Sequence, residues 1–449
     1  MTADATSTTV RPAARLRGEP RLPGDKSISH RALLFAALAA GVTRITGAGD
    51  GADVRSTAAI MGGLGATVVA TAAADGRNVD YTVGSPGADG LTSPTETLDC
   101  GNSGTSLRLI TGMLAGLPLT ATLDGDSSLR RRPVARIIDP LRRMGAVLHG
   151  QHDDSLPPLT VVGHTPLQAI DYTTPVPSAQ VKSAILLAGL RAEGWTTVRE
   201  RVATRDHTER MLRARGVPVD GAPSDAGGAS WTMEGGLAVQ AIDQRVPADV
   251  SAAAFWLVAA TIHPDAELTL RSVGVNPTRR AVIDLLRAMG ADIAEHPLDA
   301  GSDDPDAGEP MADLVVRSAD LRSIDLGPAE VAAAIDEIPV LCLAAARARG
   351  TTTIRGAGEL RHKESDRIAG IVAGLTALGG RVEVDGDDLR IHGEATLRGT
   401  DVDSLDDHRL AMTFAVAGLL ATDHTTIQRP ASAAVSYPGF FADLERVGA

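Results

Sequence analysis

A pattern of an apolar run, a glycine, a small residue and a strand-like segment recurs six times in the 449-residue chain. Glycine after an apolar helical run is typical of a helix end, because it adopts the left-handed backbone conformation without steric cost. The six glycines lie 80, 71, 74, 89 and 69 residues apart, at Gly65, Gly145, Gly216, Gly290, Gly379 and Gly448. After Gly379, alternating segments at 381–384 and 389–392 flank a turn, which predicts a hairpin. The spacing indicates six copies of one helix–strand–hairpin unit, arranged as two globular domains of three units each.

Charge and hydropathy exclude several classes of protein. The net charge of −13 argues against a nucleic-acid partner, which needs a basic face to displace counterions. The longest apolar runs, 32–40 and 252–262, are much shorter than the ~20 residues of a membrane span. Residues 1–20 have no apolar core of a secretory signal. We therefore expect no membrane association, a cytoplasmic location, and a mostly flexible arm at residues 1–20.

Cysteine usage indicates neither disulfides nor a zinc site. The two cysteines, Cys100 and Cys342, are too few for either. No group of histidines, cysteines and carboxylates has recognisable metal-ligand spacing, so we expect no metal and no cofactor. The Gly/Ala/Asp-rich stretches 222–229 and 299–310 are predicted to be surface loops.

Lysine is rare in this chain. Only three lysines occur against forty arginines, and each lies within a compact polar motif: Lys26, Lys182 and Lys363. An ammonium group is a compact charge that can lose its proton, whereas a guanidinium stays charged and planar. Biased composition could leave a single lysine in place by chance. Three in three motifs favour sites where arginine cannot substitute.

Polar motifs stand directly before apolar helical runs. Residues 23–31 (PGDKSISHR) place Lys26 and Arg31 at a helix start, where backbone N–H groups and the helix dipole favour an anion. Residues 101–106 (GNSGTS) precede another run, and glycine there allows a ligand to approach the backbone. Serine capping is the structural alternative for the first motif, and a plain loop for the second.

Three more motifs have the same placement. Ser178, Ala179 and Gln180 present a hydroxyl and an amide before an apolar run, although capping explains Ser178 equally well. Arg132 lies in RRRP, with proline at an early position of a predicted helix, and Arg205 lies in RDHTER. A solvated basic turn is the alternative for Arg132, and a charged helix face is the alternative for Arg205.

Acidic and mixed-charge motifs occupy further helix starts. Asp336 and Glu337 precede an apolar run, where they either cap the helix or act as base and acid. Lys363 and Arg367 in KESDR would share one helix face at i,i+4, and their like charges repel unless an anion lies between them. A salt-bridged surface turn is the alternative. The motif 406–409 (DDHR) also precedes an apolar run. If these helix ends converge on one cleft, the chain is an enzyme for small, multiply anionic metabolites.

The motifs resemble those of the EPSP synthase (3-phosphoshikimate 1-carboxyvinyltransferase) family, chiefly residues 22–31 (LPGDKSISHR), Arg132-Pro133 and residues 363–367 (KESDR). The resemblance covers essentially all of the chain after residue 20. It implies a two-domain inside-out α/β barrel of six βαβαββ units, three per domain, with the active site in the interdomain cleft. It assigns residues 1–24 and 247–449 to domain I and residues 25–246 to domain II.

The resemblance also implies a reaction and its residues. The enolpyruvyl group of phosphoenolpyruvate passes to the 5-hydroxyl of shikimate 3-phosphate, with release of phosphate, in the shikimate pathway of aromatic amino acid biosynthesis. The residues implied to bind shikimate 3-phosphate are Lys26, Ser27, Arg31, Ser178, Ala179, Gln180, Arg205, Asp336 and Lys363. Those implied to bind phosphoenolpyruvate are Lys26, Gly104, Arg132, Gln180, Arg367 and Arg409. Asp336 is the implied base, Lys26 and Glu364 are candidates for proton transfer, and His408 has a lesser role.

The chain departs from the family pattern at two places. Many members have a lysine just before a C-terminal aromatic–proline segment, where this chain has Val435-Ser436-Tyr437-Pro438, so one phosphoenolpyruvate contact is missing. Members with the SAQVKS and RDHTE motifs often have alanine in place of Gly104. A methyl group there crowds the inhibitor glyphosate, so we expect competitive inhibition at ordinary sensitivity. We also expect a monomer.

Two other functions compete with this interpretation. The sister enolpyruvyl transferase acting on UDP-N-acetylglucosamine has a Lys-Asn pair and usually a loop cysteine acting as acid. Here Lys26 is followed by Ser27, and neither Cys100 nor Cys342 is placed for that role. RNA 3′-phosphate cyclase shares related repeat units, but the acidic charge balance speaks against an RNA substrate.

Overall fold

The computed structural model describes three stretches of the chain, residues 6–224, 227–298 and 308–449. These residues form two compact units, each with its own hydrophobic core. Unit I comprises residues 6–23, 248–298 and 310–449. Unit II comprises residues 24–247 together with Gly308 and Glu309. The predicted loops at 222–229 and 299–310 lie partly outside the described residues.

Helices and strands alternate throughout both units. The helices of the described residues are α1 Lys26–Leu38, α2 Ala52–Gly63, α3 Gly104–Ala115, α4 Ala135–Arg143, α5 Ala179–Gly189, α6 His207–Arg213, α7 Val250–Ile262, α8 Ala281–Met289, α9 Pro328–Ala333, α10 Ile338–Arg347, α11 Arg367–Ala377, α12 His408–Gly418 and α13 Phe440–Val447. The strands are β1 Ser7–Val10, β2 Leu16–Gly18, β3 Ala40–Ala48, β4 Thr67–Ala72, β5 Val79–Pro86, β6 Leu98–Asp99, β7 Thr120–Asp124, β8 Val147–Gln151, β9 Leu156–Val162, β10 Leu167–Gln168, β11 Asp171–Thr173, β12 Ala192–Glu193, β13 Trp195–Glu200, β14 Asp220–Pro223, β15 Ala229–Glu234, β16 Gln244–Arg245, β17 Ala266–Gly274, β18 Asp292–Pro297, β19 Met311–Arg317, β20 Asp325–Leu326, β21 Thr351–Ile354, β22 Arg381–Asp385, β23 Asp388–His392, β24 Asp401–Asp403 and β25 Thr425–Gln428.

The sheets repeat one topology and confirm the predicted fold class. In unit II the strand orders are β16-β3-β5-β4, β6-β7-β9-β8 and β11-β13-β15-β14. In unit I they are β2-β17-β19-β18, β20-β21-β23-β22 and β24-β25-β1. Each of these six sheets has one parallel pair at its edge and antiparallel pairing beyond it, and β10 and β12 form a separate two-stranded parallel sheet. The units are therefore βαβαββ repeats, three in each half of the molecule.

Five of the six repeat glycines end a helix as predicted. Gly65, Gly145, Gly216, Gly290 and Gly379 all have positive φ angles, between 78° and 108°. In each case the following residue donates its N–H to the carbonyl five residues earlier, as Ala66 does to Met61 and Ala291 to Leu286. Gly448 also ends a helix, α13, but the left-handed conformation predicted for it is wrong, because its φ is −91°. The sixth sheet takes its antiparallel partner from β1 instead of from a hairpin after this glycine.

From residue 6 onward, the amino-terminal arm is not the flexible segment that composition predicted, whereas residues 1–5 lie outside the described residues. Residues 7–10 form β1, which pairs antiparallel with β25, and residues 16–18 form β2, which pairs in parallel with β17. Val10 and Leu16 are buried in the core of unit I. The β-branched run Thr8-Thr9-Val10 favours a strand, and the pairing partners lie more than 240 residues away in the sequence, where local composition cannot indicate them.

Six helices are almost entirely buried, namely α1, α3, α5, α7, α10 and α12. All thirteen residues of α7 and all eleven of α12 are buried, because a helix that is apolar on every side has no face for solvent. Five of the six are capped by the side chain that precedes them, from Asp25, Ser103, Ser178, Asp249 and Asp407. The polar motifs found in the sequence therefore lie at the amino-terminal ends of buried helices.

Candidate active site

Two groups of polar side chains lie at these helix starts, one in each unit. Cluster II, in unit II, consists of Lys26, Arg31, Asp53, Arg108, Arg132, Gln180 and Arg205. Cluster I, in unit I, consists of Arg279, Asp336, Glu337, Lys363, Glu364, Arg367, Asp407 and Arg409. We describe each from its helices outward.

Lys26 is the first residue of α1. The preceding Asp25 caps the helix by accepting from the Ile28 N–H at 2.9 Å, so the serines of this motif are not the caps. The Lys26 ammonium lies 3.2 Å from the Asp53 carboxylate, near the start of α2. Its side chain is 27% exposed, so this ammonium is both held by an acid and accessible to a ligand.

Arg31 lies one turn further along α1 and is buried. Its guanidinium donates to the Ser27 carbonyl at 2.9 Å, to Thr208 Oγ1 at 2.7 Å and to Ser183 Oγ at 2.8 Å. Burial lowers the pKa of Arg31 to about 10, because nearby carboxylates, Glu209 first among them, only partly offset the lost solvation. The side chain therefore remains cationic near neutral pH.

Gly104, the first residue of α3, adjoins two guanidinium groups. A Cβ atom at this position would lie 2.9 Å from Arg108 Nη1 and 3.3 Å from Arg132 Nη1. Arg132 donates to Asn102 Oδ1 at 2.6 Å. Arg132 precedes α4, which begins at Ala135. Pro133 therefore lies before the helix and not at an early helical position as predicted. The lack of a side chain at Gly104 leaves these two cations room beside the helix start.

Gln180 and its neighbours form the start of α5. Ser178 accepts from the Val181 N–H at 3.4 Å, which is the capping role that sequence left open. Ala179 is the first helical residue. Gln180 accepts from Arg108 at 2.5 Å and donates to Thr105 at 3.0 Å, so its amide is fixed between α3 and α5.

Arg205 and Lys182 belong to the same end of unit II. Arg205 lies between β13 and α6, close enough to Arg31 for its charge to oppose ionisation of that guanidinium. Lys182 is fully buried, in contact with the carboxylates of Glu200 at 2.8 Å and Glu209 at 2.9 Å. Of the three lysines, Lys182 is thus enclosed in the protein interior and cannot contact a ligand directly.

In cluster I, the two adjacent carboxylates have different surroundings. Asp336 is partly exposed and lies 3.7 Å from Lys363 Nζ and 3.6 Å from Arg367 Nη1. Glu337 is buried and pairs with Arg279 through two contacts of 3.0 Å, with Arg409 at 3.4 Å as a further cation. Asp336 is therefore available to a ligand, whereas Glu337 is an internal counter-ion.

The KESDR motif is not one helix face. Lys363 follows a short 3₁₀ turn, and α11 begins only at Arg367 behind its cap Asp366. Lys363 and Arg367 nevertheless share an anion, the Asp336 carboxylate, as the repulsion argument requires. Glu364 lies 2.6 Å from Arg367 Nη2 and is partly exposed.

Arg367 is the most enclosed cation of cluster I. It donates to Asp407 Oδ2 at 2.8 Å and is almost completely buried. Burial alone would lower the pKa of Arg367, but the carboxylates of Glu364, Asp407 and Asp336 outweigh it and raise the pKa. Asp407 also caps α12 by accepting from the Arg409 N–H at 2.8 Å. Arg367 is thus a permanent, fixed cation.

His408 and Arg409 are the first two residues of α12, as the DDHR motif predicted. Both are buried, and Arg409 reaches Glu337 Oε1 at 3.4 Å. Arg279 joins this network through Glu337 and Ser251, whose hydroxyl also donates to Glu337. Sequence reasoning missed Arg279 and Asp53, the partners of Glu337 and Lys26 respectively, because no local pattern links the members of either pair. The sequence feature that could have indicated these two residues is a charged side chain beside an apolar helical run.

Substituting Glu337 with glutamine should destabilise the protein by about 3 kcal/mol, since it leaves Arg279 buried without its counter-ion. Burial opposes ionisation of Glu337, but Arg279 and Arg409 outweigh it and hold its pKa below 4.5. Because the folded pKa is depressed, this stability is present above pH ~4.5 and is lost as pH falls through the folded value.

Urea unfolding of Glu337→Gln and the wild type at several pH values measures the difference. The control Asp325→Asn removes an exposed carboxylate paired with Arg355 and should leave stability almost unchanged. A difference for Glu337→Gln that is equally small at neutral pH would contradict the assigned role.

The described residues contain neither a metal-binding group nor a membrane-spanning helix. Across residues 6–224, 227–298 and 308–449, no group of three or more histidine, cysteine or acidic side chains is arranged to hold a metal ion. Within the same ranges, no helix has the length and apolar character that crossing a membrane requires.

The profile of the EPSP synthase (3-phosphoshikimate 1-carboxyvinyltransferase) family matches residues 10–444. A 3-phosphoshikimate 1-carboxyvinyltransferase from Gloeobacter violaceus is 51% identical over 440 residues, 98% of this chain and 98% of the relative. One from Halorhodospira halophila is 50% identical over 439 residues, 98% of this chain and 95% of the relative. The solved EPSP synthase of Acinetobacter baumannii is 39% identical, with a TM-score of 0.86 over 99% of this chain and 98% of that chain. The chain therefore belongs to the EPSP synthase (3-phosphoshikimate 1-carboxyvinyltransferase) family.

Proposed function

We propose that this protein carries out the reaction of its family with residues of both cluster I and cluster II. The reaction transfers the enolpyruvyl group of phosphoenolpyruvate to the 5-hydroxyl of shikimate 3-phosphate and releases phosphate. The observation that carries the proposal is the Asp336 carboxylate, partly exposed and held between Lys363 and Arg367 at 3.7 and 3.6 Å. A carboxylate so placed can accept the proton of an attacking hydroxyl.

Charge complementarity supports binding of both substrates. Each substrate carries a carboxylate and a phosphate, so together they bring about six negative charges near neutral pH. We assign shikimate 3-phosphate to Lys26, Ser27, Arg31, Ser178, Ala179, Gln180, Arg205, Asp336 and Lys363. We assign phosphoenolpyruvate to Lys26, Gly104, Arg132, Gln180, Arg367 and Arg409. Fixed cations of this kind stabilise developing charge without reorganising during the reaction.

The proton transfers that the reaction requires define what the acid and the base must do. The hydroxyl oxygen bonds to the enol carbon that bears phosphate, while the neighbouring methylene carbon gains a proton. That carbon later loses a proton as the carbon–oxygen bond to phosphate breaks, which restores the double bond. We assign the hydroxyl proton to Asp336 and the methylene and phosphate protons to Lys26 and Glu364, with His408 in a lesser role. Glu364 already contacts Arg367 at 2.6 Å, which favours its ionised form.

Glyphosate should inhibit this protein in competition with phosphoenolpyruvate, and Gly104→Ala should weaken that inhibition. The added methyl would lie 2.9 Å from Arg108 Nη1 and 3.3 Å from Arg132 Nη1, so at least one guanidinium has to shift. Crowding of this kind costs about 1–3 kcal/mol, which corresponds to an increase of about 5- to 160-fold in the inhibition constant.

Initial rates over a matrix of phosphoenolpyruvate and glyphosate concentrations measure this effect. The control Gly62→Ala adds a methyl inside α2 with no atom within 4 Å and should leave inhibition unchanged. Equal inhibition constants for Gly104→Ala and the wild type would count against the assigned position of Gly104.

The proposed reaction is tested by its product. Purified protein incubated with phosphoenolpyruvate and shikimate 3-phosphate should form an enolpyruvyl ether whose vinyl protons are visible by NMR, together with one phosphate per turnover. Substitution at another hydroxyl, or no ether at all, would contradict the assignment. We further propose that the protein acts as a cytoplasmic monomer, which light scattering of the purified protein and localisation of a tagged chain would test.

A further inference from the structure

Lys182 has no place in the reaction described above, yet it lies next to residues that do. Its side chain is completely buried in the first turns of α5, two residues after Gln180. The ammonium contacts Glu200 Oε2 at 2.8 Å, Glu209 Oε1 at 2.9 Å and the Thr204 carbonyl at 3.4 Å. One cation therefore ties together the end of β13, the segment that follows it, and α6.

The surroundings of Lys182 exclude direct contact with a ligand. The Trp231 ring covers the ammonium, with its centroid 4.9 Å from Nζ. The same indole donates to Glu200 Oε2 at 3.1 Å, and the Thr204 hydroxyl donates to the other Glu200 oxygen. Any effect of Lys182 on substrates must therefore act through other side chains.

The segments that Lys182 joins flank Arg205. Glu200 is the last residue of β13, and Thr204 directly precedes Arg205. Glu209 lies in α6, which begins two residues after Arg205. Contacts on both sides of a loop residue restrict where its side chain can point. Lys182 is thus the internal anchor of the loop that presents Arg205.

A second path leads from Lys182 to Arg31. The next residue, Ser183, accepts from Arg31 Nη2 at 2.8 Å and exchanges a 2.7 Å hydrogen bond with Thr208, which accepts from Arg31 Nε. Glu209 lies close enough to attract both cations. Lys182 contacts Glu209 at 2.9 Å, so this carboxylate links Lys182 to the surroundings of Arg31.

We propose that Lys182 is a positioning residue for Arg205 and Arg31, and so for binding of shikimate 3-phosphate. It fixes the loop carrying Arg205 and holds Glu209, whose neighbour Thr208 accepts from Arg31. This inference rests on the proposed assignment of both arginines to that substrate.

The substitution Lys182→Met removes the cation and keeps most of the volume. We expect the KM for shikimate 3-phosphate to rise about tenfold or more, with the KM for phosphoenolpyruvate and kcat changed by less than about threefold. Titration calorimetry with shikimate 3-phosphate alone should give the same loss of affinity. A KM and an affinity for shikimate 3-phosphate both within about twofold of wild type would overturn the inference.

A merely structural role is separated from positioning by a double variant. Lys182→Met leaves two buried acids without their cation, which lowers stability; adding Glu209→Gln removes one of them and should restore part of it. Positioning predicts that the KM for shikimate 3-phosphate stays high in the double variant, because the Thr204 carbonyl still lacks the Lys182 donor. A KM that returns to normal together with the thermal midpoint would overturn the proposal. The double variant also supplies folded protein if the single variant does not fold.

A matched control removes another buried cation from the same unit. Arg215 follows α6 and contacts the Met211 carbonyl and Gln244, away from the loop carrying Arg205. Arg215→Met should lower stability with a normal KM for shikimate 3-phosphate, and an equal rise in KM would overturn the inference. A wild-type protein that fails to use shikimate 3-phosphate would instead refute the proposed function, so the two failures remain distinguishable.

Discussion

Asp336→Asn should lower kcat by about 10²–10⁴-fold, the usual contribution of a general base. Asparagine keeps the shape of the side chain but cannot take the hydroxyl proton, and it removes the anion shared by Lys363 and Arg367. The fold should persist, because Asp336 is partly exposed and the buried Glu337–Arg279 pair beside it is unchanged. Steady-state phosphate release with both substrates varied measures kcat and each KM.

The control for this experiment is Asp320→Asn. Asp320 is a highly exposed carboxylate of unit I, paired with Arg349 at 3.0 Å, and its loss should not change kcat. Turnover by Asp336→Asn within about threefold of wild type would show that another group accepts the proton.

Lys26→Arg should also lower kcat by about 10²–10⁴-fold, although the charge is conserved. A guanidinium does not give up its proton near neutral pH, and its planar fork cannot occupy the place of a compact ammonium 3.2 Å from Asp53. Because the side chain is 27% exposed, the larger group can be accommodated without unfolding α1. Turnover and thermal unfolding measured on the same samples separate the two effects.

The reverse exchange Arg55→Lys is the matched control. Arg55 lies on α2, as Asp53 does, but forms an exposed pair with Asp50 at 2.6 Å. The Arg55→Lys substitution should leave kcat unchanged. If Lys26→Arg retains near-normal turnover with a stable fold, the ammonium is only a charge and the proton-transfer role is wrong.

The sequence predicted the repeat because helix ends are encoded locally. Gly65 and Gly379 occupy left-handed conformations that other residues rarely adopt, so they recur wherever a unit ends a helix. The same holds for the helix starts, where Asp25 and Asp407 provide caps within two or three residues. These features depend on neighbours in the chain and can therefore be found by pattern.

Long-range pairing could not be predicted in this way. Residues 7–10 and 16–18 form strands only because β25 and β17 offer edges to them. The division of labour between Asp336 and Glu337 likewise depends on Arg279, which is 57 and 58 residues away in sequence and tied to Glu337 by two contacts of 3.0 Å. Neither relation leaves a local signature.

Lysine rarity identified the right regions but not the individual roles. Lys26 and Lys363 are partly exposed, each beside a carboxylate at a helix start or turn. Lys182 is buried between two glutamates that lie 18 and 27 residues further along the chain. Composition alone cannot separate an ammonium that meets substrate from one that organises the protein around it, because both are sites where guanidinium fits poorly.

Acceptor specificity tests the central claim most directly. Phosphate release from phosphoenolpyruvate is followed with the purified wild-type protein, with shikimate 3-phosphate in one reaction and UDP-N-acetylglucosamine in a parallel one. The account predicts stoichiometric release with shikimate 3-phosphate and none above background with the nucleotide sugar. Release with UDP-N-acetylglucosamine, or no release with shikimate 3-phosphate, would contradict it.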